Sequence, residues 1–360
     1  MHHRVLRRGL SALTAGAAVA VLVVSPQPAG ASDGRHGDPS VVEHDLVSDQ
    51  NLPGVMQDPQ LVNPWGMSHG PNTPLWVSDN GADVSTLYRT DMGQPVTKVG
   101  LVVSIPGGAP TGQVFNDTGE FNVPGTTTAS AFIFAGENGD ISAWNGAQGT
   151  TAKLVGHNDG AVYKGLAIAH SPFGPLLLAA NFHDNRIDVW DGSFHQVSAG
   201  SLFFRDPFLP RGYAPFNVAE IGSRVYVTYA KQDSDAHDDV AGPGHGFIDV
   251  YTTFGVFVRR LVSRGDLNSP WGLTLAPSSF GRFAGELMVG NFGDGRIHVY
   301  DPRTGFELGT LRDAAHHAIV IDGLWGLLVG DQVAGGTDAV WFSAGPDEES
   351  HGLLGTLTSG

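Results

Sequence analysis

The densest chemistry in this sequence is the stretch from Lys231 to Gly246, which reads KQDSDAHDDVAGPGHG. It places Asp233, Asp235, His237, Asp238 and Asp239 close together. Carboxylate oxygens suit calcium or magnesium, and one imidazole widens the range to zinc or manganese. The opening Asp-x-Asp is that of an EF-hand loop. However, Asp238 stands where that loop needs glycine, and Gly244 where it needs glutamate. The residues therefore read as a metal site of another kind, with calcium as first candidate, or as a solvated acidic loop.

A second set of oxygen donors lies at the ends of apolar runs: Asn80, Glu137, Asn181 and Asn291. Brought together from different segments, they would hold one divalent ion. The alternative is hydrogen bonding to nearby backbone. Their neighbours Asn138, Asn185 and Asp294 read as turn formers, because Asn and Asp tolerate positive φ. His183 and His351 are the candidate general bases. Gly66-Met67-Ser68-His69-Gly70 fits G-x-S-x-G, but Pro71 and Pro74 follow, where a nucleophile elbow needs a helix. Gly242-Pro243-Gly244-His245-Gly246 imitates a phosphate loop, yet Pro243 removes an amide and no helix follows. The chain has neither H-E-x-x-H nor a Walker-type lysine.

Charge and composition narrow the setting. Arg4, Arg7 and Arg8 precede an apolar run from about Leu10 to Val24, and Ala29-Gly30-Ala31 is a small-x-small cleavage pattern. Residues 1–31 thus read as a signal peptide, residues 32–40 as a flexible mature N-terminus, and the mature chain as secreted and extracellular. Arg7-Arg8 leaves both the general and the twin-arginine export routes open. The apolar run is shorter than the roughly 20 residues of a membrane span. The full chain carries −16, and removal of three leader arginines with no acid leaves −19. Such a charge repels phosphate backbones and excludes nucleic acid as a partner. With no cysteine, the chain has no disulfide, no thiolate chemistry and no Cys-ligated metal.

The elements that must position these residues are repeated strands. Trp65-Gly66, Trp271-Gly272 and Trp325-Gly326 recur, with weaker counterparts at Gly112, Gly165 and Phe216. The six anchors lie about 50 residues apart, the size of a propeller blade. Each is followed by an apolar strand: LWVSDN (75–80), FIFAGEN (132–138), LLLAANF (176–182), VYVTYA (225–230), LMVGNF (287–292) and VWFSAG (340–345). Alternating strands come next, such as RIDVWD and RIHVYD. There Ile187, Val189, Ile297 and Val299 point one way, and Arg186, Asp188, Arg296 and His298 the other. The expected fold is all-β, a six-bladed β-propeller over residues 41–360. Its ring is closed by the N-terminal strand, because LVSD (46–49) matches LVSR (261–264). The recurrent tryptophans are expected to pack between blades. By strand alternation the second-to-third-strand loops share one face, and Lys231–Gly246 is the long loop among them.

NPWG (63–66), LWVSDNG (75–81), FHDNRIDVWDG (182–192), GYAPFNV (212–218), YAKQD (229–233), HDDVAGPG (237–244), PWGLTLAP (270–277), VGNFGDGRI (289–297) and DGLWGL (322–327) span nearly the whole mature chain. By these segments the chain resembles an uncharacterised family of exported bacterial propellers, related in architecture to NHL-repeat and gluconolactonase-like proteins. The resemblance implies a six-bladed propeller and no known reaction. In gluconolactonase-like propellers one ion sits in the central funnel, the arrangement that Asn80, Glu137, Asn181 and Asn291 would imitate. Three functions stay open. One is a monomeric binding propeller whose polar, acidic face meets an extracellular small molecule, glycan or protein. The second is a metal-dependent hydrolase or lactonase with a divalent ion in the funnel. The third is a lyase using His183 or His351.

Overall fold

The computed structural model describes residues 39–90, 94–198 and 203–360. The leader and its cleavage point lie outside the described residues. Six antiparallel sheets follow one another along the chain as six blades of a propeller. Their innermost strands are Pro64–Ser68, Pro110–Phe115, Tyr163–Ser171, Tyr213–Ile221, Pro270–Leu275 and Leu324–Val329.

The ring closes as the repeat pattern requires. Val41–Ser48 pairs antiparallel with Leu353–Ser359, running from Val41 opposite Ser359 to Ser48 opposite Leu353. The N-terminal strand therefore becomes the fourth strand of the last blade. Met56–Gln57 then adds a short parallel edge to it. Closure removes the open edges that a row of sheets would otherwise present.

One irregularity recurs in every blade. The pairing of inner and second strands slips at Pro64/Met67, Pro110/Gln113, Tyr163/Leu166, Pro215/Asn217, Pro270/Gly272 and Leu324/Leu327. Trp65, Thr111, Lys164, Phe216, Trp271 and Trp325 all lie inside these slips. A β-bulge of this kind re-aims a side chain. In five of the six blades a glycine follows, which lets neighbouring inner strands approach. A Cβ on Gly66 would stand 2.5 Å from Thr111 O, and one on Gly326 would stand 2.8 Å from Trp65 O.

The tryptophans are buried, but against one another rather than between blades. Trp65, Trp271, Trp325, Phe182, Phe216, Ala214 and Ala230 form one apolar cluster drawn from different blades. Trp65 stacks on Trp325 at 3.5 Å between centroids, Phe292 stacks on Trp325 at 3.9 Å, and Trp271 meets Trp65 edge-on at 6.2 Å. The bulges explain the difference from expectation. They turn the anchor side chains out of the blade faces, so that aromatics from separate blades plug the axis.

Strand alternation also reads differently in place. Ile187 and Val189 join an apolar cluster, yet Asp188 and His298, on the other side of their strands, are only 4% exposed. Each blade is covered on both faces by its neighbours, so the polar face of a strand is buried rather than solvated.

Candidate functional site

Above the aromatic plug, on the face of the long insertion, lies a buried cation. Lys164 is 2% exposed and occupies the anchor position where three other blades carry tryptophan. Its ammonium donates to Glu137 and, at 3.1 Å, to Asp238, and it lies 5.1 Å from the centroid of the Trp65 ring. Burial alone lowers the lysine pKa, but the Glu137 and Asp238 carboxylates more than offset this and hold it above its usual value. Burial raises Asp238 while Lys164 and His237 lower it, and the balance holds it below the usual carboxylate range.

The ring widens through amides. Asn80 Nδ2 donates to Glu137 Oε2 at 3.1 Å, and Asn63 Nδ2 donates to Glu349 Oε2 at 2.6 Å. Trp325 Nε1 donates to Asn63 Oδ1 at 3.0 Å, and Trp271 Nε1 donates to Lys164 O at 3.1 Å, which ties polar ring to apolar plug. Glu349 is raised, by burial first and by Glu137 and Asp238 as well. Its loop is strained: Asp347, Glu348 and Glu349 have φ of 55°, 55° and 65°. Left-handed backbone costs a non-glycine residue roughly 1–2 kcal/mol, and such strain collects at functional sites.

The insertion reaches the axis through His237 and Asp238. It folds on itself, with Asp233 N donating to Asp238 O and Asp233 Oδ1 accepting from His237 N at 3.0 Å. Gln232 Nε2 donates to Phe182 O at 2.6 Å, and Gly242 N donates to Asn268 Oδ1 at 2.6 Å, which fasten the loop to blades on either side. Asp238, held 2.9 Å from His237 Nδ1, then meets Lys164.

The sequence candidates therefore separate. Asn80, Glu137, His237 and Asp238 come together at the axis, and Glu137, His237 and Asp238 place ligand atoms within 4.8 Å of one another. Asp239 lies close by, in the field of Lys164, with one carboxylate oxygen buried and unpartnered. Asp233 serves the turn, and Asp235 is exposed beside Ser234. Asn181 is buried and bonded to Asp184 and Asp188, and Asn291 is buried and bonded to Asp266 O and Asp294. His183 pairs with Asp184 at 3.1 Å and His351 with Asp49 at 2.9 Å, so their rings are taken by acids other than Glu137 and Asp238. Lys164, Asn63 and Glu349 belong to the site without having been singled out. Lys164 carried a signal: it is one of four lysines, at an anchor position.

The open part of the axis lies on the other side of the plug. A cavity of about 510 Å³ is walled by the inner strands of all six blades, including Ser68, Leu166, Val218, Leu273 and Leu327. His170 stands in its lining between Glu220 at 2.6 Å and Asp117 at 3.1 Å. The funnel expected beneath the insertion is thus filled by aromatic rings and Lys164, while the open well lies among the downstream halves of the inner strands. Among the described residues no helix is long and apolar enough to cross a membrane.

Comparison with known proteins agrees with this architecture. A structural genomics protein of unknown function from Bacteroides thetaiotaomicron superposes with a TM-score of 0.53 at 12% identity, over 88% of this chain and 76% of that chain, a likeness of fold alone. No family model matches the chain. Uncharacterized protein R648 of Acanthamoeba polyphaga mimivirus is 33% identical over 328 residues, 87% of this chain and 78% of its own. Uncharacterized protein L690 of the same virus is 32% identical, over 87% of this chain and 84% of its own. At that identity and coverage, this propeller belongs to the family of the mimivirus proteins R648 and L690.

Proposed function

We propose that the chain is an exported binding propeller whose working surface is the face of the 231–246 insertion, and that this face takes a cationic ligand or partner. The observation that carries the reading is Lys164. Its ammonium already fills the cation position among Glu137 and Asp238, over the face of an indole. A divalent ion there would have to displace a buried charge. The remaining acidity points outward, with Asp235 exposed and the Asp238 side chain 66% exposed. An ammonium held by carboxylates and an aromatic ring is the chemistry by which proteins recognise organic cations. A net −19 on the mature chain would draw them in. An extracellular small molecule, glycan or protein with basic groups fits, and nucleic acid does not. Secretion, bacterial origin and a monomeric state are part of this proposal, supported by the leader and the family resemblance.

The test is calorimetric titration of the mature chain with spermidine, and separately with calcium, manganese and zinc. The comparison protein is the triple variant Asp233→Ala, Asp235→Ala, His237→Ala. Spermidine heat that falls about tenfold in affinity in the variant supports the reading. Absence of spermidine binding, with metal binding abolished by the same variant, overturns it in favour of a metal-dependent hydrolase or lactonase. That second reading has its own observation, the close approach of Glu137, His237 and Asp238.

A further inference from the structure

Away from the axis, the fifth blade gathers a different set of ligands. His298 lies on the strand Ile297–Tyr300, and Glu307 lies on the next strand, Glu307–Thr310, opposite Tyr300. Asp266 comes from the connection that enters this blade. Ligand atoms of Asp266, His298 and Glu307 lie within 4.8 Å of one another. The three residues are exposed, buried and half-buried respectively, so the group opens to solvent at Asp266.

Two further observations point to something missing from this group. His298 is 4% exposed, and its Nδ1 is held by Glu307 Oε1 at 3.0 Å and Thr310 Oγ1 at 3.1 Å, while its Nε2 is buried with no partner. Whichever tautomer the ring takes, one nitrogen is unsatisfied. The nitrogen that meets Glu307 is Nδ1, so an ion shared by the three residues would take Nδ1 in place of that contact and leave the ring proton on Nε2. Tyr300 stands two residues on, hence on the same side of the strand. It is 2% exposed, its hydroxyl is buried with no partner, and its ring lies 6.5 Å from that of His298. An unmade hydrogen bond at a buried group costs roughly 1–3 kcal/mol, so two in one place need an explanation.

The two carboxylates have no basic partner: among the described residues, no lysine or arginine forms an ion pair with Asp266 or Glu307. Arg296, the nearest basic residue along the strand, lies 3.6 Å from Asp294. This is the reverse of the axial cluster, where Lys164 neutralises its carboxylates.

We propose that Asp266, His298 and Glu307 form a peripheral transition-metal site, suited to zinc, with the Tyr300 hydroxyl or a water at the fourth position. Imidazole nitrogen and carboxylate oxygen are both zinc donors, and three of them leave one tetrahedral position open. The imidazole disfavours calcium and magnesium, which prefer oxygen throughout. The site is independent of the insertion face and of any ligand bound there.

The experiment loads the mature chain with zinc, removes free metal and measures zinc per chain by elemental analysis. Cobalt(II) substitution reports coordination through its visible absorption. The variants are His298→Gln, Glu307→Gln and Asp266→Asn, with Glu137→Gln/His237→Ala as control. Asp266 is exposed, so its variant tests the site even where the His298 variant fails to fold. The expected result is one zinc per chain, a tetrahedral cobalt spectrum, at least tenfold weaker binding in Asp266→Asn and Glu307→Gln, and no change in the control. No zinc on the wild-type chain, zinc retained at full affinity by Asp266→Asn and Glu307→Gln, or zinc lost in the axial control would each overturn the proposal.

Discussion

Replacing Lys164 by methionine tests whether the axial cluster is held by one charge. The variant keeps an unbranched side chain over Trp65 and removes the ammonium. Removing one partner of a buried pair costs about 3–5 kcal/mol, because the other charge is left buried and alone. Here the two partners differ in exposure. The Glu137 side chain is 18% exposed and Asp238 is 66% exposed. Asp238 regains water, so its bond contributes about 0–1 kcal/mol. The loss is then mainly that of Glu137, about 3 kcal/mol. The pH dependence follows from the shifts. Lys164 is raised above 10.5, so its stabilisation is fully present below 10.5 and fades as pH climbs through the folded value. Asp238 is lowered from 3.8, so its contribution is present above 3.8 and is lost as pH falls through the folded value. Both are intact at neutral pH. In the variant Glu349, already raised by burial, loses the opposing pull of the ammonium and takes a proton more readily, so the penalty should shrink at mildly acidic pH. Adding Glu137→Gln should recover most of the loss, because it removes the stranded charge. The assay is urea unfolding at neutral and mildly acidic pH, comparing midpoints at equal slope. A loss under about 1 kcal/mol, or no recovery in the double variant, would refute the reasoning.

Trp325 stacks on both Trp65 and Phe292 and donates to Asn63, so Trp325→Ala should cost about 3–5 kcal/mol by urea unfolding and should also loosen Asn63's hold on Glu349. Asp79 is fully buried with one oxygen unpartnered, and burial raises it well above 3.8. A carboxyl with a raised folded pKa withdraws stability as pH rises from the unfolded value toward the folded one. Asp79→Asn should therefore flatten the fall in stability that begins as pH rises above 3.8, and an unchanged slope would count against the assignment. Deleting Val41 to Ser48 removes the fourth strand of the last blade and bares the edge of Leu353–Ser359. Thermal unfolding at an unaltered temperature would show that the ring does not depend on this closure.

Much of this architecture is legible in the residues because the repeats are chemical as well as periodic. Trp-Gly pairs at blade spacing mark the inner strands, and LVSD against LVSR marks the closing strand. What cannot be read is direction. A bulge shifts one residue out of register, and only the paired backbone shows that Trp65, Trp271 and Trp325 turn to the axis. Asn181 and Asn291 sit at strand ends just as Asn80 does, yet they are spent on Asp184 and Asp188, and on Asp294 and the Asp266 carbonyl, while Asn80 reaches Glu137. The difference lies in which partner the neighbouring loop offers, a tertiary fact without a local signature. His298 shows the same gap. Alternation sets it opposite Ile297 and Val299, but only stacking of blades buries that side and isolates its nitrogen.

The two carboxylate groups illustrate how one fold can set opposite chemistry in neighbouring places. At the axis, the bulged anchor of the third blade supplies lysine where other blades supply indole, so the acids there are satisfied from within the chain. In the fifth blade, Arg296 is paired with Asp294, and Asp266 and Glu307 stand beside an imidazole instead. An internal ammonium leaves the outer acids free to meet a ligand's charge, and an imidazole beside two carboxylates that no basic residue pairs invites a metal. Substituting Lys164 should therefore let divalent ions compete for Glu137, His237 and Asp238. In the Lys164→Met variant, metal binding would rise at the axis and remain unchanged at His298. An axis that stays indifferent to divalent ions after the lysine is removed would mean that geometry, rather than the ammonium, keeps metals out.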